Sequence, residues 1–245
     1  MTTTSTNSVM HLVDLDYQLY KSNRLAYCMP ADATDEYIKI GESTAIECMK
    51  RFCRAIVSSF SEWYLRSPTP EDVSRLLSIG QQRGFPGMLG SLDCMHWKWK
   101  NCPTAWTGQF AGRSGSPTII LEAVADYDLW IWDAFFGMPG SNNDINVLNS
   151  SNLFSKLAQG IAPPANYTIQ GQEYNMDYYL ADGIYPKWST IVQTISDPQG
   201  PKKKLFAARQ ESCRKDVERA FGVLQAKFAI VARSSRYWKK RYCMI

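Results

Sequence analysis

Apolar residues follow a helical period in the first third of the chain. They recur at spacings of three and four between Thr44 and Phe60, which predicts one long amphipathic helix. A short helix over Asp35–Ile40 and a turn over Gly41–Ser43 are predicted before it, and Glu71–Gln82 is predicted to form a further helix. Helix, glycine-containing turn and helix is the pattern of a helix-turn-helix, which ordinary helical hairpins share with DNA-binding modules.

The pattern changes to that of strands after Gly87. Alternation over Met88–Lys100 predicts a strand on which Asp93 shares a face with large apolar side chains. Nearly continuous apolar runs over Thr118–Tyr127 and Leu129–Gly137 predict two central strands joined as a hairpin. The segment between the first two strands is rich in Gly, Ser and Pro and is predicted to be a loop.

Helices and short strands alternate in the rest of the chain. The predicted elements are a helix over Asp144–Gln159, strands over Tyr167–Gln170 and Tyr178–Ala181, and a last helix over Arg209–Ala229. The stretch between the last strand and the last helix fits neither period clearly. Strands that precede and alternate with helices predict an α/β (α+β) domain of about 150 residues, layered around one sheet.

Composition narrows the class of protein. The 245 residues are 45% hydrophobic and 20% charged, which is typical of a globular chain with one large domain and a smaller appendage. Seven cysteines at irregular spacing favour reduced thiols over a secreted disulfide scaffold, so we expect an intracellular protein. No signal-peptide pattern begins the chain and no apolar run reaches membrane-spanning length, so we expect neither feature.

Basic residues are concentrated at the C-terminal end. The net charge is +4, but the segment from Pro201 to Ile245 holds 13 Lys and Arg against 3 acidic residues. This asymmetry indicates a polyanionic partner, most simply nucleic acid. A solvated, charged helix face gives the same pattern, so charge alone leaves both interpretations open.

Three acidic residues lie where metal-dependent chemistry needs them. Asp93 lies within a predicted strand, Asp182 follows a short apolar strand, and Glu218 lies on the last helix. Ionised carboxylates near a core are unfavourable unless they are paired, and converging carboxylates usually bind a divalent cation such as Mg²⁺ or Mn²⁺. Each also has an ordinary alternative: a backbone hydrogen bond for Asp93, a turn at Asp182, and an ion pair between Glu218 and Arg214.

Four blocks of this sequence resemble the signature blocks of PIF/Harbinger-type DDE transposases, most closely the plant-type, host-domesticated, nuclease-like relatives. The blocks are Gly90–Trp97, Pro139–Leu148, Leu180–Pro186 and Arg214–Gly222. The likeness covers about Pro30 to Trp238. It implies an RNase H-like mixed sheet flanked by helices, with a lead-in over 1–30, a small helix-turn-helix-like segment over 31–86, the DDE endonuclease domain over 87–238 and a basic tail over 239–245.

The resemblance implies which residues carry the chemistry. Asp93, Asp182 and Glu218 correspond to a catalytic triad that holds two Mg²⁺ or Mn²⁺ ions and cleaves DNA phosphodiester bonds. Asp144 also stands in a signature block and is the alternative second acid. We prefer Asp182 because the second acid of an RNase H-like core follows its fourth strand. Asp144 precedes a predicted helix, where it would act as an N-cap.

DNA is the implied partner, together with a separate Myb-like DNA-binding protein. The candidates for phosphate contacts are Arg214, Lys202, Lys203, Lys204 and Arg113. The alternatives are neutralisation of the acids for Arg214, a nuclear import signal or a soluble surface for the three lysines, and a flexible turn for Arg113. The implied location is the nucleus, with the cytoplasm as a second possibility, and the oligomeric state is open. Related proteins extend further at both ends, so we expect a truncated chain. The alternative function is therefore a catalytically silent, domesticated transposase that acts as a nuclear DNA- or protein-binding scaffold.

Overall fold

The computed structural model of the protein describes residues 42–152 and 165–236. They divide into two compact units. The described residues up to Arg66 and those from Leu224 onward belong to one unit, and Ser67–Val223 belong to the other. None of the described helices combines the length and the apolar character needed to cross a bilayer.

The long N-terminal helix, α1 (Glu42–Tyr64), agrees with the predicted helix but is longer at both ends. It begins two positions before Thr44 and continues past Phe60 to Tyr64. The predicted helix over Asp35–Ile40 lies outside the described residues, as do the lead-in over 1–30 and the basic tail over 239–245. The helix-turn-helix-like segment therefore stays a prediction.

The next helix, α2 (Pro70–Gln82), confirms the predicted helix over Glu71–Gln82. Its start is fixed by a capping box, in which the Thr69 hydroxyl accepts a hydrogen bond from the Asp72 backbone N–H at 3.3 Å. The Asp72 carboxylate accepts one in return from the Thr69 backbone N–H at 2.9 Å. Proline suits the first helical position because the N–H it lacks would find no partner within the helix.

Seven strands are present in the described residues, five of them in one mixed sheet. They are β1 (Met88–Lys98), β2 (Thr118–Ala125), β3 (Ile131–Pro139), β4 (Tyr167–Ile169), β5 (Gln172–Tyr174), β6 (Tyr178–Ala181) and β7 (Ile191–Gln193). The five-stranded order is β3-β2-β1-β6-β7, and β4 and β5 form a separate hairpin. The pairs β1–β2 and β2–β3 are antiparallel, whereas β1–β6 and β6–β7 are parallel. This topology is consistent with an RNase H-like fold and confirms the predicted fold class.

The two predicted central strands do not both lie in the middle of the sheet. The run predicted over Thr118–Tyr127 forms β2, a central and almost completely buried strand. The run predicted over Leu129–Gly137 forms β3, which is an edge strand with mostly half-buried residues. The prediction was wrong for β3 because its aromatic residues raise the apolar content of a strand that has a neighbour on one side only.

The predicted loop over Asn101–Pro117 contains two short helical turns, a 3₁₀ turn over Thr104–Trp106 and α3 (Thr107–Phe110). They are held by ring packing rather than by helix propensity. The rings of Trp99 and Phe110 pack edge to face with centroids 5.0 Å apart, and Trp106 stacks on Phe110 at 6.2 Å.

The predicted helix over Asp144–Gln159 is interrupted after two turns. The helix α4 (Asp144–Ser150) ends where Ser151 adopts an extended conformation, and residues 153–164 lie outside the described part. The sequence Asn149–Asn152 is entirely polar, and such side chains compete with helical hydrogen bonds by bonding to the backbone themselves.

The last long helix, α5 (Pro201–Lys227), begins eight residues before the predicted start at Arg209. The Lys204 backbone N–H donates to the Gly200 carbonyl at 3.1 Å, which places Pro201 at the first helical position. The first turn of α5 is exposed, so it carries no apolar period from which a sequence pattern could predict it. A short helix, α6 (Ala229–Ala232), follows.

Helices cover both faces of the five-stranded sheet. On one face Leu76 of α2 and Leu148 of α4 pack with Leu92, Val124 and Tyr179 of the strands. On the other face α5 buries apolar side chains against β2 and β6; these contacts involve Ala123, Leu180, Cys213, Val217 and Phe221. Adjacent residues of a strand point to opposite faces, and cross-strand partners share one. Asp93 pairs with Ala123 in the β1–β2 register and therefore lies on the face that α5 covers.

Candidate metal centre

Asp93 lies on β1 beneath α5, in a partly buried position. Its Oδ1 accepts a hydrogen bond from the Cys94 backbone N–H at 2.8 Å, which confirms the ordinary alternative considered for this residue. Burial raises the pKa of Asp93 to about 6, and the negative charges of three further carboxylates add to this rise: Glu218, Asp144 and Asp182. Four carboxylates therefore share one electrostatic environment.

Asp182 directly follows β6, the parallel neighbour of β1. The register pairs Ser91 with Leu180, so Asp93 and Asp182 each stand two residues further along adjacent strands. The Oδ1 atom of Asp182 accepts a hydrogen bond from the Ile184 backbone N–H at 2.7 Å, which confirms the predicted turn at this position. The turn and the metal-ligand hypothesis are compatible, because one carboxylate offers several lone pairs.

Two hydrogen-bonded clamps hold α5 against the strands that carry these acids. The Val217 backbone N–H donates to Ser91 Oγ at 3.0 Å, two residues before Asp93. The Gln210 side chain, which is completely buried, donates to the carbonyl of Ala181 at 2.8 Å and to that of Val192 at 3.1 Å. The two clamps fix the position of α5 along the strands and its rotation about its own axis. Because Glu218 directly follows Val217, the clamps also position Glu218.

Glu218 is paired with Arg214 one helical turn earlier. Arg214 Nη1 donates to Glu218 Oε1 at 2.7 Å, which confirms the predicted ion pair. Arg214 Nη2 also lies 3.0 Å from Glu211 Oε2. The guanidinium thus balances two acids of α5, and the Glu218 side chain keeps 42% of its surface exposed.

Asp144 occupies the first position of α4 and is not the residue that caps it. Asn143 caps the helix, with its Oδ1 accepting a hydrogen bond from the Asn146 backbone N–H at 2.8 Å, so the N-cap interpretation of Asp144 was wrong. Burial raises the pKa of Asp144, a hydrogen bond from Cys94 opposes the rise, and the charge of Asp182 adds to it. Both candidates for the second acid therefore lie within electrostatic range of Asp93 and of each other.

Within residues 42–152 and 165–236, no three His, Cys, Asp or Glu side chains are grouped so that they could hold a metal ion. The chemistry of the donors nevertheless fits Mg²⁺ or Mn²⁺, because all four side chains are carboxylates and hard divalent cations prefer oxygen ligands. Burial is the largest cause of the raised pKa of Asp93, and the three neighbouring carboxylates add to it, so both disfavour its ionised form. A cation would favour the ionised form.

The basic candidates for DNA contacts lie at three places in the fold. Lys202, Lys203 and Lys204 are exposed on the first turn of α5, Arg113 is exposed on the loop before β2, and Arg214 is engaged by two acids. The charge of Arg113 lowers the pKa of Asp144 against the larger effect of burial, so this guanidinium lies near the carboxylates. Contact with DNA stays a prediction for all five.

Sequence reasoning assigned no role to three further residues of this region. Ser91 and Gln210 form the clamps, and Glu122 lies on β2 with only 1% of its surface exposed. Burial raises the pKa of Glu122 to about 7; the Ser151 hydroxyl opposes the rise, and Asp144 adds to it. A lone acid inside the apolar run of β2 was the available signal for Glu122. The signal for Gln210 was a side-chain amide three residues before Cys213, on the buried face of the last helix.

Asp216 is a further buried acid of α5, and its contacts explain it as structural. Asp216 is 1% exposed and forms an ion pair with Arg83 at the end of α2. A second ion pair joins its Oδ1 atom to Arg219 Nη1 at 3.3 Å. Both guanidinium groups also lie over the ring of Tyr127, at 4.9 and 5.7 Å from its centroid. This network attaches α5 to α2 and to the β2–β3 turn, which adds to the positioning of Glu218.

Replacing Gln210 with Ala is expected to lower the free energy of unfolding by about 3 kcal/mol, because two buried carbonyls lose their donor and a cavity opens. Urea unfolding followed by circular dichroism measures the change. Gln109→Ala, at an exposed position of α3, serves as the matched control and should change stability by less than about 0.5 kcal/mol. Equal losses in the two variants would contradict the clamp.

Comparison with known proteins adds evidence on ancestry. A family model described as "Plant transposon protein" matches residues 62–244, well over half of the chain. The chain is 22% identical over 193 residues to a Bos taurus protein named "Putative nuclease HARBI1", and 20% identical over 195 residues to the Rattus norvegicus protein of the same name. Each match covers 78% of this chain and 51% of the relative, so the chain spans about half the length of these curated relatives. No solved structure matches significantly.

Proposed function

The chain belongs to the plant transposon protein family, and from this premise we propose that it is a transposase-derived endonuclease that cuts DNA with the help of a divalent metal ion. The observation that carries the proposal is the placement of the acids: Asp93 on β1 and Asp182 directly after β6 each stand two residues beyond a paired position of adjacent parallel strands. The Val217–Ser91 hydrogen bond holds α5, which carries Glu218, against β1. The printed names of the two mammalian relatives support a nuclease rather than another kind of enzyme.

Asp93, Asp182 and Glu218 would hold the metal, with Asp144 as the alternative to Asp182 as second acid. When bound, Mg²⁺ or Mn²⁺ supplies Lewis-acid stabilisation of the charge that develops on a scissile phosphate. Asp93 is central among the ligands because its carboxylate interacts with the other three. The Glu218 carboxylate that would bind the metal is paired with Arg214, and Arg214 is also paired with Glu211, so this guanidinium lies beside the proposed site.

The exposed basic groups complete the proposed interaction with DNA. Arg113 lies near Asp144, and Lys202, Lys203 and Lys204 are exposed on the first turn of α5. Each phosphate contact of this kind adds to the salt dependence of DNA binding. A nuclear location and cooperation with a separate Myb-like DNA-binding protein are parts of the same proposal.

The experiment that tests the proposal is cleavage of supercoiled plasmid by the purified full chain. We expect nicked DNA in the presence of Mg²⁺ or Mn²⁺ and no product in excess EDTA, because the carboxylates alone repel the phosphate backbone. Cleavage that persists in EDTA would contradict the role of the metal. DNA binding without cleavage in either metal would contradict the endonuclease and favour the scaffold function instead.

A further inference from the structure

An open cavity of about 660 Å³ lies directly beyond Asp182, within the size range of small-ligand sites in proteins. None of the described residues that line it is acidic, although the neighbouring site is rich in carboxylates. The lining combines one indole, one ammonium group and several hydroxyls; it includes Gly183, Lys187, Trp188, Ser189, Thr194 and Ser196. This composition differs from that of the metal centre and needs its own explanation.

The cavity shares a wall with the proposed cutting site. Gly183 follows Asp182 in the chain, and a Cβ atom placed on Gly183 would lie 3.7 Å from Ser196 Oγ and 3.8 Å from Thr194 Cγ2. The loop after β6 therefore packs against the loop after β7. The cavity therefore adjoins Asp182, one of the residues that would hold the metal at the scissile phosphate.

Trp188 is presented to the cavity from a hydrogen-bonded turn. Its backbone N–H donates to the Pro186 carbonyl at 3.0 Å, and its own carbonyl accepts from the Ile191 backbone N–H at 3.1 Å. The side chain keeps 41% of its surface exposed although it lines the cavity. An aromatic ring held by an ordered backbone loses little conformational freedom when a flat ligand stacks on it.

We propose that this cavity is a subsite for an unpaired nucleobase beside the cut, in which Trp188 stacks on the base and Lys187 contacts the adjoining phosphate. The inference rests on the proposed endonuclease function, because it places the scissile phosphate at the metal that Asp182 would help to hold. Stacking on an aromatic side chain is tolerant of sequence, since every base has a π-face. The hydroxyls of Ser189, Thr194 and Ser196 supply donors and acceptors for the edge of the base.

The geometry favours an unpaired base over an intact duplex. In a duplex both faces of each base are covered by its neighbours, so a protein ring gains no face to stack on unless the base leaves the stack. Trp188 therefore selects a substrate with a nucleotide that is already splayed or overhanging beside the cleavage site. The substrate class assigned to this site is DNA with a short single-stranded segment at the cut.

The test uses the full chain and duplex DNA with 2-aminopurine at one position, either in a three-nucleotide overhang or fully paired. Ca²⁺ replaces Mg²⁺, because its looser coordination supports binding in preference to cleavage. We expect the wild type to quench the overhang probe. Trp188→Ala should lose the quenching and bind about tenfold more weakly, whereas Trp188→Phe should restore much of both. Trp63→Ala is the matched control, since Trp63 near the end of α1 is 72% exposed and does not line the cavity, and it should quench as the wild type does.

A second test of the subsite uses the Lys187→Gln variant. It should weaken binding of the overhang DNA and reduce the dependence of the binding constant on salt by about one phosphate contact. If Trp188→Ala fails to fold, photocrosslinking of 5-iodouracil in the overhang to the wild type decides the matter. A crosslink at Trp188 supports the subsite, and a crosslink elsewhere overturns it.

The outcomes separate the subsite from the endonuclease. Quenching that Trp188→Ala leaves intact, absence of quenching in the wild type, or equal quenching of the paired probe would each overturn the subsite. If the wild type cuts DNA while any of these results is obtained, the endonuclease stands and the subsite falls. If quenching depends on Trp188 but no DNA is cut in Mg²⁺ or Mn²⁺, the subsite stands and the endonuclease falls.

Discussion

Replacing Asp93 with Asn is expected to abolish Mn²⁺ binding and to slow DNA cleavage by about 1,000-fold, because metal stabilisation of the transition state is worth several kcal/mol. Asp93 is the residue whose carboxylate interacts with the other three acids. Asparagine keeps the shape of the side chain and an oxygen that can accept the hydrogen bond of the Cys94 N–H, but it removes the negative charge. Single-turnover cleavage of an end-labelled DNA measures the change in rate.

Asp197→Asn is the matched control for this substitution. Asp197 is exposed, and its Oδ1 accepts a hydrogen bond from the Gln199 side chain at 2.7 Å. The control should cleave within twofold of the wild type, since the residue lies outside the shared carboxylate environment. A rate for Asp93→Asn equal to that of the control would remove Asp93 from the metal centre.

Replacing Glu122 with Gln is expected to raise the free energy of unfolding at pH 8 by about 3 kcal/mol in EDTA. Burial raises the pKa of Glu122 from the ordinary value of 4.5 to about 7. The folded chain therefore keeps this proton at pH values where the unfolded chain has lost it. The stability contributed by the raised pKa is fully present below about pH 4.5 and is lost as the pH rises through about 7.

Glutamine resembles the protonated form of Glu122 at every pH, so the substitution should remove this loss. Urea unfolding at pH 5 and pH 8 measures it, and we expect a gain of less than about 1 kcal/mol at pH 5. Glu173→Gln, on the exposed hairpin strand β5, serves as the control and should behave alike at both pH values. A destabilised Glu122→Gln protein at pH 8 would show that the buried carboxylate is ionised and well compensated.

The strands that carry the acids could be predicted because one periodic signal determines each of them. β1 begins at its predicted residue and β6 has both of its predicted bounds, since alternating or continuous apolar runs reflect burial in the sheet. The three acids stood out for the same reason: a charged residue within or at the end of an apolar run is unusual. The order of the strands in the sheet could not be derived from periodicity, because it depends on which distant segments pair.

The elements that were mispredicted depend on tertiary contacts. The exposed first turn of α5 has no buried face that would mark it, and α3 exists because Trp99 and Trp106 pack on Phe110. The edge position of β3 depends on which strands lie beside it, and its apolar content alone could not indicate this.

The supports of the site were also invisible in the sequence. Ser91 and Gln210 are common polar residues, and their roles depend on where α5 lies on the sheet. Asn143 and Asp144 are both good cap residues by type, and only the backbone shows that Asn143 caps α4 and leaves Asp144 at the first helical position. Sequence chemistry could therefore nominate the acids but not the contacts that position them.

The most direct test of the central claim is calorimetric titration of Mn²⁺ into the wild-type chain, the Asp93→Asn variant and the Asp197→Asn control. If the carboxylates on β1, β6 and α5 form a metal centre, the wild type and the control bind Mn²⁺ and Asp93→Asn does not. A folded wild type that binds no Mn²⁺ at millimolar concentration, or an Asp93→Asn protein that binds it as tightly as the wild type, would contradict the account.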